Sequence, residues 1–141
     1  MSKVAAVYWS GTGNTETMAN LVADGAKEAG VEVDVMTPSG FDSSKLGDYD
    51  AFAFGCPAMG DEELEEDEFE PMYSAVEGEL ASGGKPTVLF GSYDWNEGEW
   101  MDVWKDRAVK AGVNVVDTLI VKDYPEGDAA EDCKKLGSSM A

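Results

Sequence analysis

Residues 10–15, Ser-Gly-Thr-Gly-Asn-Thr, combine three hydroxyl side chains with two glycines and contain no Lys or Arg. An apolar run over residues 4–8 precedes them, and the apolar positions that follow recur at helical spacing. The stretch is therefore predicted to join a buried strand to a helix N-terminus. Successive backbone N–H groups at such a junction bind anions, and the hydroxyls add donors. The pattern favours a phosphate site, although a plain turn with Asn14 or Thr12 capping the helix explains the same residues.

Two common phosphate motifs are excluded. The Walker pattern GxxxxGK[ST] is absent, and no Lys follows the loop to reach a triphosphate. The dinucleotide fingerprint GxGxxG also fails, because Glu16 stands where a third glycine is needed after Gly11 and Gly13. These two glycines let the backbone approach a ligand closely. The residues are therefore suited to a terminal phosphate monoester held by neutral donors.

Five strand-like runs alternate with segments of helical periodicity along the chain. The runs cover residues 3–9, 31–36, 50–55, 86–91 and 113–121. The apolar helical positions are Met18, Leu21, Val22, Gly25, Ala26, Ala29, Phe69, Met72, Tyr73, Val76, Leu80, Trp100, Val103, Trp104, Ala108, Ala111, Ala129, Cys133, Leu136 and Met140. Residues 42–49 have room for a short helix only, and residues 31–36 are predicted to form an edge strand. This alternation predicts an α/β fold, with helices on both faces of a parallel sheet and ligands at the carboxyl ends of its strands.

Composition limits the classes of function. The 141 residues suffice for one domain, and 29 Asp and Glu against 10 Lys and Arg give a net charge of −19. This charge disfavours nucleic acid and anionic membranes and favours partners with a basic face. The absence of a leader or membrane-spanning run predicts a cytoplasmic protein. Because the chain has no His, and Cys56 and Cys133 form no CxxC pair, we expect two buried free thiols and no metal site.

Three motifs along the chain, in the order in which the flavodoxins have them, make this sequence similar to that family. Residues 10–15 resemble the flavodoxin phosphate loop, and residues 56–62 and 90–95 resemble the two flavin-ring loops of the clostridial-type, short-chain members. The resemblance covers essentially the whole chain. It implies a flavodoxin-like three-layer α/β/α sandwich with a five-stranded parallel sheet in the order 2-1-3-4-5, a strand order for which flavodoxin is itself the usual example. It also implies a single domain, residues 1–141, that binds FMN without a covalent bond.

The function implied by the resemblance is electron transport. A member of this family is expected to act as a low-potential one-electron carrier, not an enzyme, and to shuttle electrons between redox enzymes through the semiquinone and hydroquinone states of FMN. The resemblance implies no catalytic residue and no metal, and a monomer is expected. The alternative is an FMN-dependent quinone reductase on the same fold, for which the chain is short and the flavin loops are unusually acidic.

The resemblance also indicates which residues contact FMN. They are Ser10, Gly11, Thr12, Gly13, Asn14, Thr15, Pro57, Ala58, Met59, Gly60, Asp61, Glu62, Gly91, Ser92, Tyr93 and Trp95. Met59 and Trp95 are expected to sandwich the ring, since neither belongs to a helical apolar stripe. The peptide between Gly60 and Asp61 is expected to turn its carbonyl towards the flavin N5, which glycine permits at low cost. Glu62 is expected to accept a hydrogen bond from the ring N3–H.

Residues 61–70 contain eight acidic side chains. Most of this run is expected to be a solvated face, and it lacks the spacing of a calcium loop. A second expected role is electrostatic, because negative charge beside the flavin guides basic redox partners and opposes the second electron. Glu63, Glu65 and Glu66 are the residues assigned to this role. Pro57 and Asp94 depart from the usual family residues without disrupting the motifs.

Overall fold

Five parallel strands form one sheet in the computed structural model, which describes residues 3–11, 13–59, 64–94 and 98–140. The strands are β1 (Lys3–Tyr8), β2 (Glu32–Met36), β3 (Ala51–Gly55), β4 (Thr87–Tyr93) and β5 (Val115–Lys122). Their order is β2-β1-β3-β4-β5, which confirms the order implied by the resemblance. Every predicted strand is present, with its ends displaced by no more than two residues.

Four α-helices cover the two faces of the sheet within the described ranges. They are α1 (Asn14–Glu28), α2 (Phe69–Gly83), α3 (Glu99–Ala111) and α4 (Asp128–Ser138), and two 3-10 helices span Pro38–Gly40 and Ser43–Asp48. Apolar residues of α2 and α3, such as Tyr73 and Trp104, pack on one face. Residues of α1 and α4, such as Met18 and Cys133, pack on the other. The predicted three-layer α/β/α sandwich is therefore confirmed.

The centre of the sheet is buried, and it positions three loops at the carboxyl ends of its strands. All five residues of β3 are buried, whereas β2 and β5, the edge strands, consist of exposed and partly buried residues except for the buried Val121. The register pairs Tyr8 with Gly55, and Gly55 with Phe90. Because the strands are parallel, the segments that follow β1, β3 and β4 leave the sheet on the same side.

Three of the apolar helical positions named from the sequence, Ala29, Val103 and Ala111, are exposed. Val103 is 63% exposed, and Met101 is buried in its place beside Trp100. The buried stripe of α3 is wider on the Met101 side, so Val103 faces solvent. Ala111 is the last residue of α3 and Ala29 follows the last residue of α1, and both are exposed because a helical period no longer fixes the face at a helix end.

The four described α-helices contain 11 to 15 residues, and the two 3-10 helices are shorter. None of them has the length and apolar character needed to cross a membrane.

Candidate functional site

A cleft of about 260 Å³ lies at the edge of the sheet where β1, β3, β4 and β5 end. Its lining includes Trp9, Gly11, Asn14, Pro57, Ala58, Met59, Ser92, Tyr93, Asp94 and Asp123. Seven of these ten are among the residues predicted to contact the ligand. The fold therefore brings residues of the three sequence motifs together around one cleft.

The first motif ends in the N-terminus of α1. Gly13 is the N-cap and has a φ of +96°, a left-handed conformation that glycine adopts at low cost. Its N–H donates to Ser10 Oγ at 3.1 Å, and its carbonyl accepts from the N–H of Thr17 at 3.0 Å. No described side chain caps α1, so the alternative in which Asn14 caps the helix is wrong: Asn14 is the first helical residue and lines the cleft. The partial positive charge of the helix N-terminus is therefore available to an anion.

Thr15 connects the first motif to the third. It is fully buried, and its Oγ1 lies 2.8 Å from Ser92 Oγ at the end of β4. The backbone N–H of Ser92 also donates to Thr15 Oγ1, at 3.4 Å. A buried hydroxyl needs such partners, since an unpaired one is costly. The phosphate loop and the second ring loop are thus hydrogen-bonded to each other.

The second motif is fixed to β4 by its backbone. The N–H of Cys56 donates to the carbonyl of Phe90 at 3.1 Å, and the N–H of Ala58 donates to that of Ser92 at 2.9 Å. These bonds extend the β3–β4 pairing into the loop. Pro57 has no N–H to contribute, and both Pro57 and Met59 line the cleft.

Five predicted contact residues, Thr12, Gly60, Asp61, Glu62 and Trp95, lie outside the described residues. Their roles, including the ring sandwich and the turning peptide, stay predictions. Glu63, assigned to partner attraction, also lies outside them.

Gly91 and Trp100 lie directly behind the cleft. A Cβ on Gly91 would be 2.1 Å from the carbonyl oxygen of Cys56 and 2.9 Å from the Trp100 ring, so a larger residue does not fit. Trp100 Nε1 donates to the same Cys56 carbonyl at 3.1 Å, and its ring centroid is 5.9 Å from that of Tyr93. Trp100, one of the apolar helical positions named from the sequence, is buried in the core. Gly91 acts here through close packing.

Three cleft residues, Trp9, Asp94 and Asp123, were not among the predicted contacts, and Asp94 directly follows β4. Trp9 follows β1, and Asp123 follows β5 with a φ of +59°. The N–H of Asp123 donates to the carbonyl of Tyr93 at 2.7 Å, which holds this unusual backbone in place. Left-handed backbone is unfavourable for a non-glycine residue and is concentrated at functional sites. Trp9 and Asp123 each follow a strand directly, and this position was the signal that the sequence offered for them.

The burial of Glu65 corrects the expectation that this residue attracts redox partners from the protein surface. Glu65 is only 5% exposed, and its carboxylate accepts from the N–H groups of Asp67, Glu68 and Phe69 at 2.7–2.9 Å. Burial opposes ionisation, but these backbone donors outweigh it and lower the pKa of Glu65. Glu65 therefore caps the start of α2, whereas residues 66–68 are exposed as predicted. No group of three acidic or Cys side chains among the described residues could hold a metal ion.

Comparison with known proteins identifies the family. A family model described as flavodoxin matches residues 7–137. The chain is a member of the flavodoxin family. It is 44% identical to the flavodoxin of Megasphaera elsdenii over 138 residues, 98% of each chain, and 44% identical to that of Clostridium beijerinckii over 136 residues, 96% of each. The solution structure of two-electron reduced Megasphaera elsdenii flavodoxin matches with a TM-score of 0.89 over 97% of each chain.

Flavodoxins bind FMN and carry electrons, so this chain is an FMN-binding electron-transfer protein and not an enzyme. The quinone reductase alternative is not favoured. The residues at the cleft fit FMN. Hydroxyls and backbone N–H groups adjoin the start of α1, as a single terminal phosphate requires, and Trp9, Met59 and Tyr93 offer apolar surface to a flat ring. No Lys or Arg is among the residues named in the cleft lining.

Proposed function

We propose that the three loops at the cleft hold FMN within a single domain formed by residues 1–141. The phosphate would lie on residues 10–15, and the ring would lie between residues 57–62 and 91–95. When bound, FMN supplies the reversible uptake and release of electrons. The protein orients the cofactor and leaves one edge of the cleft open to a partner.

The Thr15–Ser92 hydrogen bond is the observation that carries this assignment. It connects a residue of the phosphate loop with one of the ring loops through a buried contact of 2.8 Å. The bond fixes the separation of the two loops, and a ligand with a phosphate at one end and a ring at the other requires that separation to be constant.

We also propose that the partners are redox enzymes with basic docking faces. Residues 57–70 contain eight acidic residues and residues 93–102 contain four, and neither stretch has a Lys or Arg. The basic residues Lys3, Lys27 and Lys85 lie at the other end of the sheet, whereas Lys122, at the end of β5, is a basic residue at the cleft end. The cleft end of the molecule is therefore its negative end, which favours association with a basic surface. A cytoplasmic monomer accords with this role.

The test has three parts. Acid precipitation of the purified protein should release FMN, identified by mass spectrometry, and release of FAD would contradict the proposal. The reduced protein should then transfer electrons faster to a basic cytochrome than to the same cytochrome with its lysines succinylated. Equal rates would refute the basic-partner proposal alone. Light scattering tests the monomer.

A further inference from the structure

The segment that carries the predicted ring contacts is closed by a direct bond between its two ends. It leaves β3 at Cys56 and reaches α2 through Glu65. The backbone N–H of Glu65 donates to Cys56 Sγ at 3.4 Å, and the thiol donates to the carbonyl of Pro57 at 3.6 Å. One sulfur atom thus contacts the first residue of the segment and the residue that follows its last.

Cys56 is itself immobilised. It is fully buried, its N–H is bonded to Phe90, and its carbonyl accepts from Trp100 Nε1 at 3.1 Å. Burial raises the pKa of the Cys56 thiol to about 12, so the group keeps its proton at neutral pH. A protonated thiol donates to Pro57 and accepts from Glu65 at the same time.

The other end is fixed to α2. The Glu65 carboxylate accepts from the N–H groups of Phe69, the first residue of α2, and of the two residues before it, and the Glu65 carbonyl accepts from the N–H of Glu70 at 2.8 Å. Any change in the separation of Cys56 and Glu65 would therefore have to displace α2, β4 or Trp100. Leu64, immediately before Glu65, is also buried in the core.

We propose that the Cys56 thiol is a positioning residue for the flavin, which fixes the span between the two ends of segment 57–64. The inference rests on the proposed function. A fixed span limits how far Cys56 and Glu65, the residues that flank the segment, can move when the flavin changes redox state. The thiol then contributes to the separation of the two one-electron midpoint potentials, although it lies behind the cofactor loop.

Replacing the thiol tests this role in the FMN-loaded protein. Cys56→Ala should raise the hydrogen-exchange rate of the Glu65 amide, measured by NMR, by about tenfold, because that amide loses its acceptor. It should also bring the two midpoint potentials closer together, with the comproportionation constant falling about threefold to tenfold, the range for one lost hydrogen bond. Cys56→Ser should give an intermediate result, since a hydroxyl restores a shorter donor and acceptor.

Cys133 provides a matched control. It is the other free thiol, it is equally buried, and it lies in the core on the opposite face of the sheet. Cys133→Ala should lower the unfolding free energy without changing the potentials or the exchange of the Glu65 amide. Wild-type potentials in Cys56→Ala, or an equal change of potential in Cys133→Ala, would overturn the inference. If the wild-type protein did not bind FMN, the proposed function would be refuted instead. The exchange rate of the Glu65 amide would still decide whether the bond between this amide and the Cys56 thiol exists.

Discussion

Thr15 and Ser92 are separated by 77 residues, yet their hydroxyls form a buried hydrogen bond of 2.8 Å. Each hydroxyl has one proton and two lone pairs. Whichever hydroxyl accepts in this bond therefore keeps its own proton for donation to a phosphate or a ribityl oxygen. At the scale of single residues, the site is a set of neutral polar groups that position one another before the ligand binds.

Thr15→Val should separate phosphate binding from ring binding. The change keeps the branched shape and removes Oγ1, so we expect FMN affinity to fall about tenfold, the effect of one to two hydrogen bonds. Riboflavin affinity should fall less, because riboflavin lacks the phosphate. Fluorescence titration of the apoprotein with both ligands measures the difference.

Thr87→Val is the control for this experiment. Thr87 is also fully buried, but it lies at the amino end of β4 and donates to the carbonyl of Lys85 at 3.2 Å. Its loss should reduce stability and leave both affinities unchanged. An equal decrease for FMN and riboflavin in Thr15→Val would show that the loop is only a structural turn.

The sequence predicted the donor residues better than their partners. Thr15 was recognisable because a strand and a helix flank it, whereas its bond to Ser92 depends on the order of the strands. Asp123 was missed because a left-handed backbone at a non-glycine residue has no composition signal. Glu65 was assigned to partner attraction because one acidic residue in a run of eight is indistinguishable from its neighbours until the first residue of α2 is known.

At the scale of elements, α1 and α4 approach each other at two glycines. A Cβ on Gly137 would lie 1.8 Å from the carbonyl oxygen of Val22, and one on Gly25 would lie 2.0 Å from that of Lys134. Such contacts leave no room for a methyl group. Periodicity predicted both helices correctly, but it gives no information on how closely two helix backbones pack.

Gly137→Ala should therefore destabilise the protein by at least about 1–3 kcal/mol, since the helices must separate to admit the methyl group. Gly78→Ala is the matched control. Gly78 lies within α2 with nothing within 4 Å of its Cβ position, so the alanine should stabilise the helix by about 0.5–1 kcal/mol. Urea unfolding measures both. A neutral Gly137→Ala variant would show that α1 and α4 separate easily.

The cap of α2 gives the stability a pH dependence. The folded-state pKa of Glu65 is lowered from its ordinary 4.5, so the carboxylate contributes stability above that pH. The contribution is lost as the pH falls through the folded-state pKa. Glu65→Gln should lower the unfolding free energy at pH 7 by about 1–2 kcal/mol, as loss of a helix cap does. The difference from the wild type should shrink towards pH 3, whereas the exposed neighbour Glu66→Gln should change little at either pH.

At the scale of the whole molecule, charge is distributed unevenly along the strand direction. Two sets of exposed acidic residues allow this to be tested at equal change of net charge. The cleft-end set lies just before α2, and the opposite-end set lies at the end of α1, the start of β2 and the end of the second 3-10 helix. The substitutions are Glu66→Gln, Asp67→Asn and Glu68→Gln in the first set, and Glu28→Gln, Glu32→Gln and Asp48→Asn in the second. Glu65 is not substituted, because its carboxylate caps the start of α2 and its loss would destabilise the fold.

Electron transfer to a basic partner should slow as salt rises, because attraction between charges is screened beyond about 8 Å at physiological ionic strength. Association, rather than transfer within the complex, carries this dependence. The cleft-end variant should therefore react more slowly at low salt and show a shallower salt dependence in stopped-flow measurements. The opposite-end variant carries the same net charge, so it should stay close to the wild type if position matters. If both variants lose rate equally, net charge alone attracts the partner; if neither does, residues 66–68 are only a solvated face and docking depends on other residues of the rim, such as Asp94 and Asp123.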